Sequence, residues 1–283
     1  MTTTAHAVQT WFVTGTSSGF GRAFAEHALA SGHNVVATAR QPERLADLVA
    51  LAPERVLAVA LDVDDRDGAE RAVRAAVARF GRIDVLVNNA GYGVVGALEE
   101  TSDAELRALM DTNFFGAMAV TRAVLPALRA QRGGAIVNMS SLGGQLSFAG
   151  FSAYSASKFA LEGASEALAQ EVAPFGVKVL IVEPGQFRTN LAGSGMRHMP
   201  VIDAYDAVVG GTRRFAHDMH RTQAGDPRKA AAAIEQALAA ERTPLRLQLG
   251  GDAVDAVRTH AQGLLDDMQR WEAIGRGTNF DPA

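Results

Sequence analysis

Short, near-continuous runs of Val, Ile, Leu and Ala alternate with longer helical stretches along the chain. The runs fall at 11–14, 34–39, 56–61, 83–87, 135–139, 177–182 and 245–249. Apolar strands that do not alternate with polar residues are buried on both faces, as in a parallel sheet. Helical patterns lie between them near 20–31, 42–51, 66–79, 103–130, 152–173 and 228–241, with a last one near 252–272. Strand–helix alternation of this kind predicts an α/β fold, a doubly wound seven-stranded parallel sheet with right-handed crossovers. No linker or composition break divides the chain, so one domain over 1–283 is expected. The 186–226 segment departs from the rhythm and reads as a lid or binding loop. Residues 252–283 read as a C-terminal extension.

The bulk numbers narrow the function. A chain of 283 residues with 48% apolar and 20% charged residues can bury a sizeable core. Its formal net charge of −4 argues against nucleic-acid binding, which would call for a basic face. There are no cysteines, which excludes disulfides, thiolate metal sites and a cysteine nucleophile. The first ten residues lack the basic stretch and apolar run of a signal peptide. No stretch approaches the ~20 apolar residues of a membrane span. A cytoplasmic protein with no membrane partner is the expectation.

The turn after the first strand is rich in glycine. Thr14-Gly15-Thr16-Ser17-Ser18-Gly19-Phe20-Gly21 ends a strand and opens a helix. Glycines allow a tight turn and let the backbone approach a pyrophosphate, which the helix N-terminus then attracts. The expected cofactor is a dinucleotide on a Rossmann-type sheet. At the end of the second strand, an acid would bond the ribose hydroxyls of NAD, whereas an arginine would accept the 2′-phosphate of NADP. The chain reads Ala39-Arg40 there, which favours NADP(H), with NAD(H) as the alternative.

A second cluster carries the chemistry. Tyr154 and Lys158 are four apart and would share one helix face. Tyrosine ionises near pH 10, and a neighbouring ammonium lowers such a value by roughly 1–3 units. The pair therefore predicts a tuned acid/base for an alcohol or ketone. Ser141 lies thirteen residues before Tyr154 and could bond the same oxygen. His198, His217 and His220 lack supporting acidic or thiolate ligand spacing, so no metal is expected.

Together these motifs, with Asn88-Asn89-Ala90-Gly91, Asn113 and Pro184-Gly185, resemble the short-chain dehydrogenase/reductase family, single-domain branch. The opening strand and turn are similar to those of its hydroxysteroid- and retinol-dehydrogenase-like members. The resemblance implies hydride transfer between nicotinamide and a carbonyl or secondary alcohol. It implies Tyr154 as general acid/base, Ser141 orienting the substrate oxygen, and Lys158 on the nicotinamide ribose. Asn113 would hold a water near Lys158. Asp62 and Val63 would flank the adenine, although Asp62 equally fits a cap for the helix near Arg66. Asn89, Ala90 and Gly91 would close the cofactor pocket. Pro184, Gly185 and Thr189 would lie beside the nicotinamide. The helices at 103–130 and 152–173 would pair copies into a homodimer or homotetramer. A catalytically silent nucleotide sensor is the alternative from another class, and such proteins tend to lose the tyrosine or lysine. Phe187, Leu191, Met196, Met199, Phe215 and Met219 in the 186–226 segment suggest a small to medium, apolar substrate.

Overall fold

The structure is a computed structural model that describes residues 8–280. Most of the N-terminal stretch tested for a signal peptide, and residues 281–283 of the C-terminal extension, lie outside the described residues. Strands are β1 (Thr10–Val13), β2 (Asn34–Ala39), β3 (Val56–Ala60), β4 (Val85–Asn88), β5 (Gly93–Val95), β6 (Gly134–Met139), β7 (Val177–Pro184), β8 (Met196–His198) and β9 (Arg246–Leu249). Helices are α1 (Gly19–Ala30), α2 (Ala46–Leu51), α3 (Arg66–Phe80), α4 (Asp103–Met110), α5 (Ala117–Gln131), α6 (Ser152–Val172), α7 (Asp206–Asp218), α8 (Pro227–Ala239) and α9 (Gly251–Arg276).

Seven strands form one sheet in the order β3-β2-β1-β4-β6-β7-β9, and every pairing is parallel. Successive residues of a strand face opposite sides, so Trp11 and Val13 enter one core while Phe12 enters the other. The first core holds Phe24, Leu45, Leu48 and Ile234. The second holds Leu86, Val124, Leu128 and Val172. Both faces are thus covered, which is why the strands read as unbroken apolar runs. Local chemistry sets the helix ends. Gly81 at φ 77° ends α3, and Asp226 accepts the Arg228 N–H at 2.9 Å where Pro227 opens α8.

The chain winds outward from β1 through β2 to β3, then returns to β4 on the other side of β1. That reversal opens a crevice at the carboxyl ends of the strands, where ligands of such sheets bind. The loops carrying Gly15–Gly21, Arg40, Asp62, Asn89–Gly91, Ser141 and Pro184–Thr189 all leave from that edge.

Three features differ from the sequence expectations. The helix expected over 103–130 is present, but it carries one π-helical turn at Asp111–Gly116. The 186–226 segment contains helix α7 and strand β8, which pairs in parallel with β5 to make a second, two-stranded sheet. Period-based reading misses three-residue strands, because they are too short to show a period. Finally, α9 is longer than expected, and from Ala261 onward its residues are exposed on every side. Among the described residues, no helix is long and apolar enough to cross a membrane.

Candidate active site

The Gly-rich loop is held open by its own neighbours. Gly15 and Gly19 take φ of 69° and 58°, a region that favours glycine. A Cβ on Gly15 would sit 3.1 Å from Ala90 Cα, and one on Gly19 3.3 Å from Thr189 Cβ. A Cβ on Gly21 would overlap the Gly15 carbonyl oxygen. Ser18 is the N-cap of α1, yet no side chain caps the helix and its first turn has no acid. The helix thus presents its N–H groups and positive dipole end to the crevice. Ser17 is exposed there, and Phe20 turns its ring inward, 5.1 Å from Phe187 and 5.7 Å from Phe24. These residues fit a pyrophosphate: bare backbone, free donors and an anion-favouring dipole.

Thr14 and Asn89 lock the loop to the neighbouring turn. The Thr14 hydroxyl oxygen accepts the N–H groups of Asn89 and Ala90, both at 2.9 Å. Asn89 Nδ2 donates to the carbonyls of Thr14 at 2.9 Å and Gly15 at 3.1 Å. Val63 is buried against Gly116, whereas Asp62 is exposed and accepts the Asp64 N–H at 3.2 Å. Asp65, not Asp62, is the N-cap of α3. Arg40 leaves the end of β2 into solvent, where its charge acts on Asp64.

Asn113, Ser141, Tyr154 and Lys158 converge at the same crevice. Asn113 sits in the π-helical turn and is buried, not directed to water. Its Oδ1 accepts the Tyr92 N–H at 3.0 Å, and its Nδ2 donates to Tyr92 O and Ser157 Oγ, each at 3.0 Å. Ser157 in turn donates to the Tyr154 carbonyl at 2.7 Å. Gly91 fits between the groups: a Cβ there would lie 2.9 Å from Asn113 Oδ1 and 3.8 Å from Lys158 Nζ. Ser141, not the buried Ser140, is the hydroxyl on the Tyr154 side, since a Cβ on Gly143 would lie 3.4 Å from both side chains, and it also accepts the Gly143 N–H at 3.0 Å.

The proton affinity of Tyr154 runs opposite to the expectation. Burial pushes the phenol up from its ordinary value, and the Ser141 hydrogen bond only partly offsets this. Lys158 Nζ lies 5.8 Å from the centre of the Tyr154 ring and donates one of its three N–H groups to Met139 O at 2.8 Å. Lys158 is itself buried, which brings its ammonium down to about 8, while Glu162 works to raise it.

The sequence reading missed several residues. Asp252, at the start of α9, accepts the Gln186 N–H at 2.7 Å and crowds Gly185, thereby pinning the Pro184–Thr189 turn. Nothing local marks it. Tyr92, Val94, Leu109 and Ala153 form an apolar cluster with Tyr154 and with Met199, which the sequence did single out. Arg197 on β8 stacks over Tyr92 at 4.4 Å and pairs with Glu105 at 3.0 Å. In the 186–226 segment Phe187 and Met199 are buried, whereas Leu191 and Phe215 are exposed. Glu162 was in principle legible, one turn beyond Lys158.

A doubly wound parallel sheet, a glycine cradle at its switch point and a Ser–Tyr–Lys group beside it define a nucleotide-dependent oxidoreductase. Residues 9–200 match the family described as short chain dehydrogenase. The chain belongs to that family and is an NAD(P)-dependent dehydrogenase/reductase. It is 42% identical over 268 residues to Oxidoreductase BOA17 of Botryotinia fuckeliana (strain B05.10), covering 93% of this chain and 97% of the relative. It is 38% identical over 254 residues to 3-ketodihydrosphingosine reductase of Bacteroides thetaiotaomicron, covering 84% and 86% of the two chains. The crystal structure of a short-chain dehydrogenase from Streptomyces avermitilis superposes with a TM-score of 0.92 at 54% identity, covering 97% of this chain and 100% of the other.

Proposed function

We propose that this chain is an NADP(H)-dependent carbonyl reductase acting on an apolar ketone, with Tyr154 as the general acid. The single observation that carries this reading is the Ser141 hydroxyl beside a half-buried Tyr154 phenol whose proton affinity is raised. A phenol in that state is a donor at neutral pH, which suits reduction better than oxidation. The bound nicotinamide supplies the hydride. Ser141 and Tyr154 hold the carbonyl oxygen and stabilise the charge that develops on it. Tyr154 gives its proton to that oxygen. Lys158 holds the nicotinamide ribose, and its ammonium, linked through Asn113 and solvent, returns a proton to the phenol.

The residues for the rest of the dinucleotide are Gly15, Ser17, Ser18, Gly19, Phe20 and Gly21 at the pyrophosphate, and Asp62 and Val63 at the adenine. Asn89, Ala90 and Gly91 form the pocket wall, with Pro184, Gly185 and Thr189 at the carboxamide. Arg40 next to Ala39 supports the 2′-phosphate and hence NADP(H). The 186–226 segment is read as the substrate cover of a single domain. The apolar wall of Tyr92, Val94 and Met199 beside Tyr154 supports an apolar substrate, and a long-chain 3-ketone is a natural first probe given the 3-ketodihydrosphingosine reductase relative. Copies are read as pairing through α4, α5 and α6.

The test is an NADPH-oxidation assay over ketones of graded chain length, run beside NADH. Tyr154→Phe is expected to bind NADPH normally and to lose turnover by at least ~100-fold, the lower end of general acid catalysis. Retention of more than a tenth of the activity overturns the acid assignment. A kcat/KM no higher with NADPH than with NADH overturns the Arg40 argument.

A further inference from the structure

Beside the Ser141–Tyr154–Lys158 group lies a cluster of charge to which none of the steps above gives a role. Glu162 on α6 and Glu183 on β7 are both buried, at 4% and 0% exposure. They share one cation: Arg246 Nε, on the edge strand β9, lies 3.0 Å from Glu162 and 3.5 Å from Glu183. The other end of that guanidinium is drawn off to Glu166 at 2.8 Å. Gln145 Nε2 donates to Glu183 at 3.0 Å and to Glu162 at 3.4 Å, and Gln248 Nε2 donates to Glu183 at 2.7 Å. Two buried carboxylates with one shared guanidinium leave an excess of negative charge. Removing such groups from water is costly unless another cation answers them.

Glu162 follows Lys158 by one helical turn on the buried face of α6, and residues so spaced are neighbours. Glu162 Oε1 has no hydrogen-bond partner. The carboxylate is held in place by packing, since a Cβ on Gly144 would lie 3.0 Å from that oxygen and would overlap Ser140 Oγ. The charged and polar groups facing Glu162 are therefore Lys158 and Glu166 on its own helix, Glu183 on β7, Arg246 on β9, and Ser140 and Gln145 from the loop after β6. On the other side of Lys158 stand Tyr154, Asn113 and the Met139 carbonyl, none of them an anion at neutral pH.

We infer that Glu162 is a positioning residue that sets when Lys158 carries its proton, so that the buried carboxylate cluster, anchored by β9, fixes the alkaline limit of the reaction. This rests on the role given to Lys158 above. Burial alone lowers the lysine, and Glu162 is the one neighbour that counters it. Burial and Glu183 raise Glu162 in turn, to about 7, so it is ionised at the pH where Lys158 titrates. An ionised carboxylate favours the ammonium, and its loss must lower the pH at which Lys158 becomes neutral.

The chain contains only three lysines, Lys158, Lys178 and Lys229, so lysine-labelled protein allows the Lys158 side chain to be titrated by NMR without an activity assay. Glu162→Gln keeps the shape and removes the charge; Glu162→Asp keeps the charge and shortens the side chain. Glu162→Gln is expected to lower the Lys158 titration midpoint by at least about half a unit, the scale of a single nearby charge. Glu162→Asp is expected to leave it near the wild-type value. An unmoved midpoint in Glu162→Gln, or equal shifts in both variants, overturns the inference and makes the cluster purely structural. The pH profile of kcat separates the two readings. A Lys158 midpoint that moves while the alkaline limb of kcat stays fixed upholds the electrostatic link but overturns both the catalytic role of Lys158 and the claim that the cluster fixes the alkaline limit.

Discussion

At the residue scale, the site is dominated by desolvation. Lys158 is placed where its ammonium is penalised, and the depressed value of about 8 measures that penalty. The sign follows from proton counting. Between about 8 and 10.5 the unfolded chain binds the extra proton, so stability rises with pH across that window. Below about 8 the cost is fully present. Lys158→Met is therefore expected to abolish turnover and to raise stability at pH 7 by about 2–3 kcal/mol, on the scale of 1.36 kcal/mol per unit less the lost bond to Met139. Chemical denaturation of both proteins at pH 7 and pH 10.5 checks this, with the gain shrinking at the higher pH. The residues proposed for the chemistry were legible in the sequence because Ser141, Tyr154 and Lys158 stand at a spacing that resembles the family's. Their proton affinities were not, because the Tyr154 shift arises from what covers the phenol and not from the residue four places along.

At the element scale, the β1–α1 turn shows how closely spacing can specify geometry. Its three glycines are required at three different contacts: with Ala90, with Thr189 and with the turn's own Gly15 carbonyl. Gly21→Ala is expected to displace the loop, since a Cβ cannot share space with that oxygen. Calorimetry should show at least about a tenfold loss of dinucleotide affinity, and the overpacking should cost roughly 1–3 kcal/mol of stability. The strands and most helices matched their sequence periods to within a residue or two, because a sheet buried on both faces leaves an unmistakable apolar run. The π-helical turn at Asp111–Gly116 did not show, since six residues within a helical period carry no separate signal. It turns Asn113 inward toward Tyr92 and Ser157, and it brings Gly116 against Val63. Strands β5 and β8 were also hidden; they are defined by each other across about a hundred residues of chain.

At the scale of the whole molecule, the seven-stranded sheet gathers loops from six strand ends into one crevice, while α9 stands largely apart. Its Leu264, Leu265, Met268, Trp271 and Ile274 are all more than half exposed, so they add little to the core. Truncation after Gly263 is expected to leave kcat and KM within about twofold of the full chain and to change stability by no more than about 0.5 kcal/mol, as for surface changes in general. Removal of the helix from its root is expected to be worse, because Asp252 pins the turn at Gln186; parallel kinetics on the two truncations make the comparison. By itself the amino-acid sequence determined the α/β class, the parallel sheet, the glycine-rich turn and the side chains proposed to react. Each of these is written in local period or spacing, and short-range sterics enforce it. Only the tertiary structure decided the direction in which the Tyr154 and Lys158 proton affinities shift, the buried Glu162–Glu183–Arg246 cluster and the pairing of β5 with β8. Those depend on which distant segments exclude water from one another, and a linear pattern records that a residue is buried without recording what lies across from it.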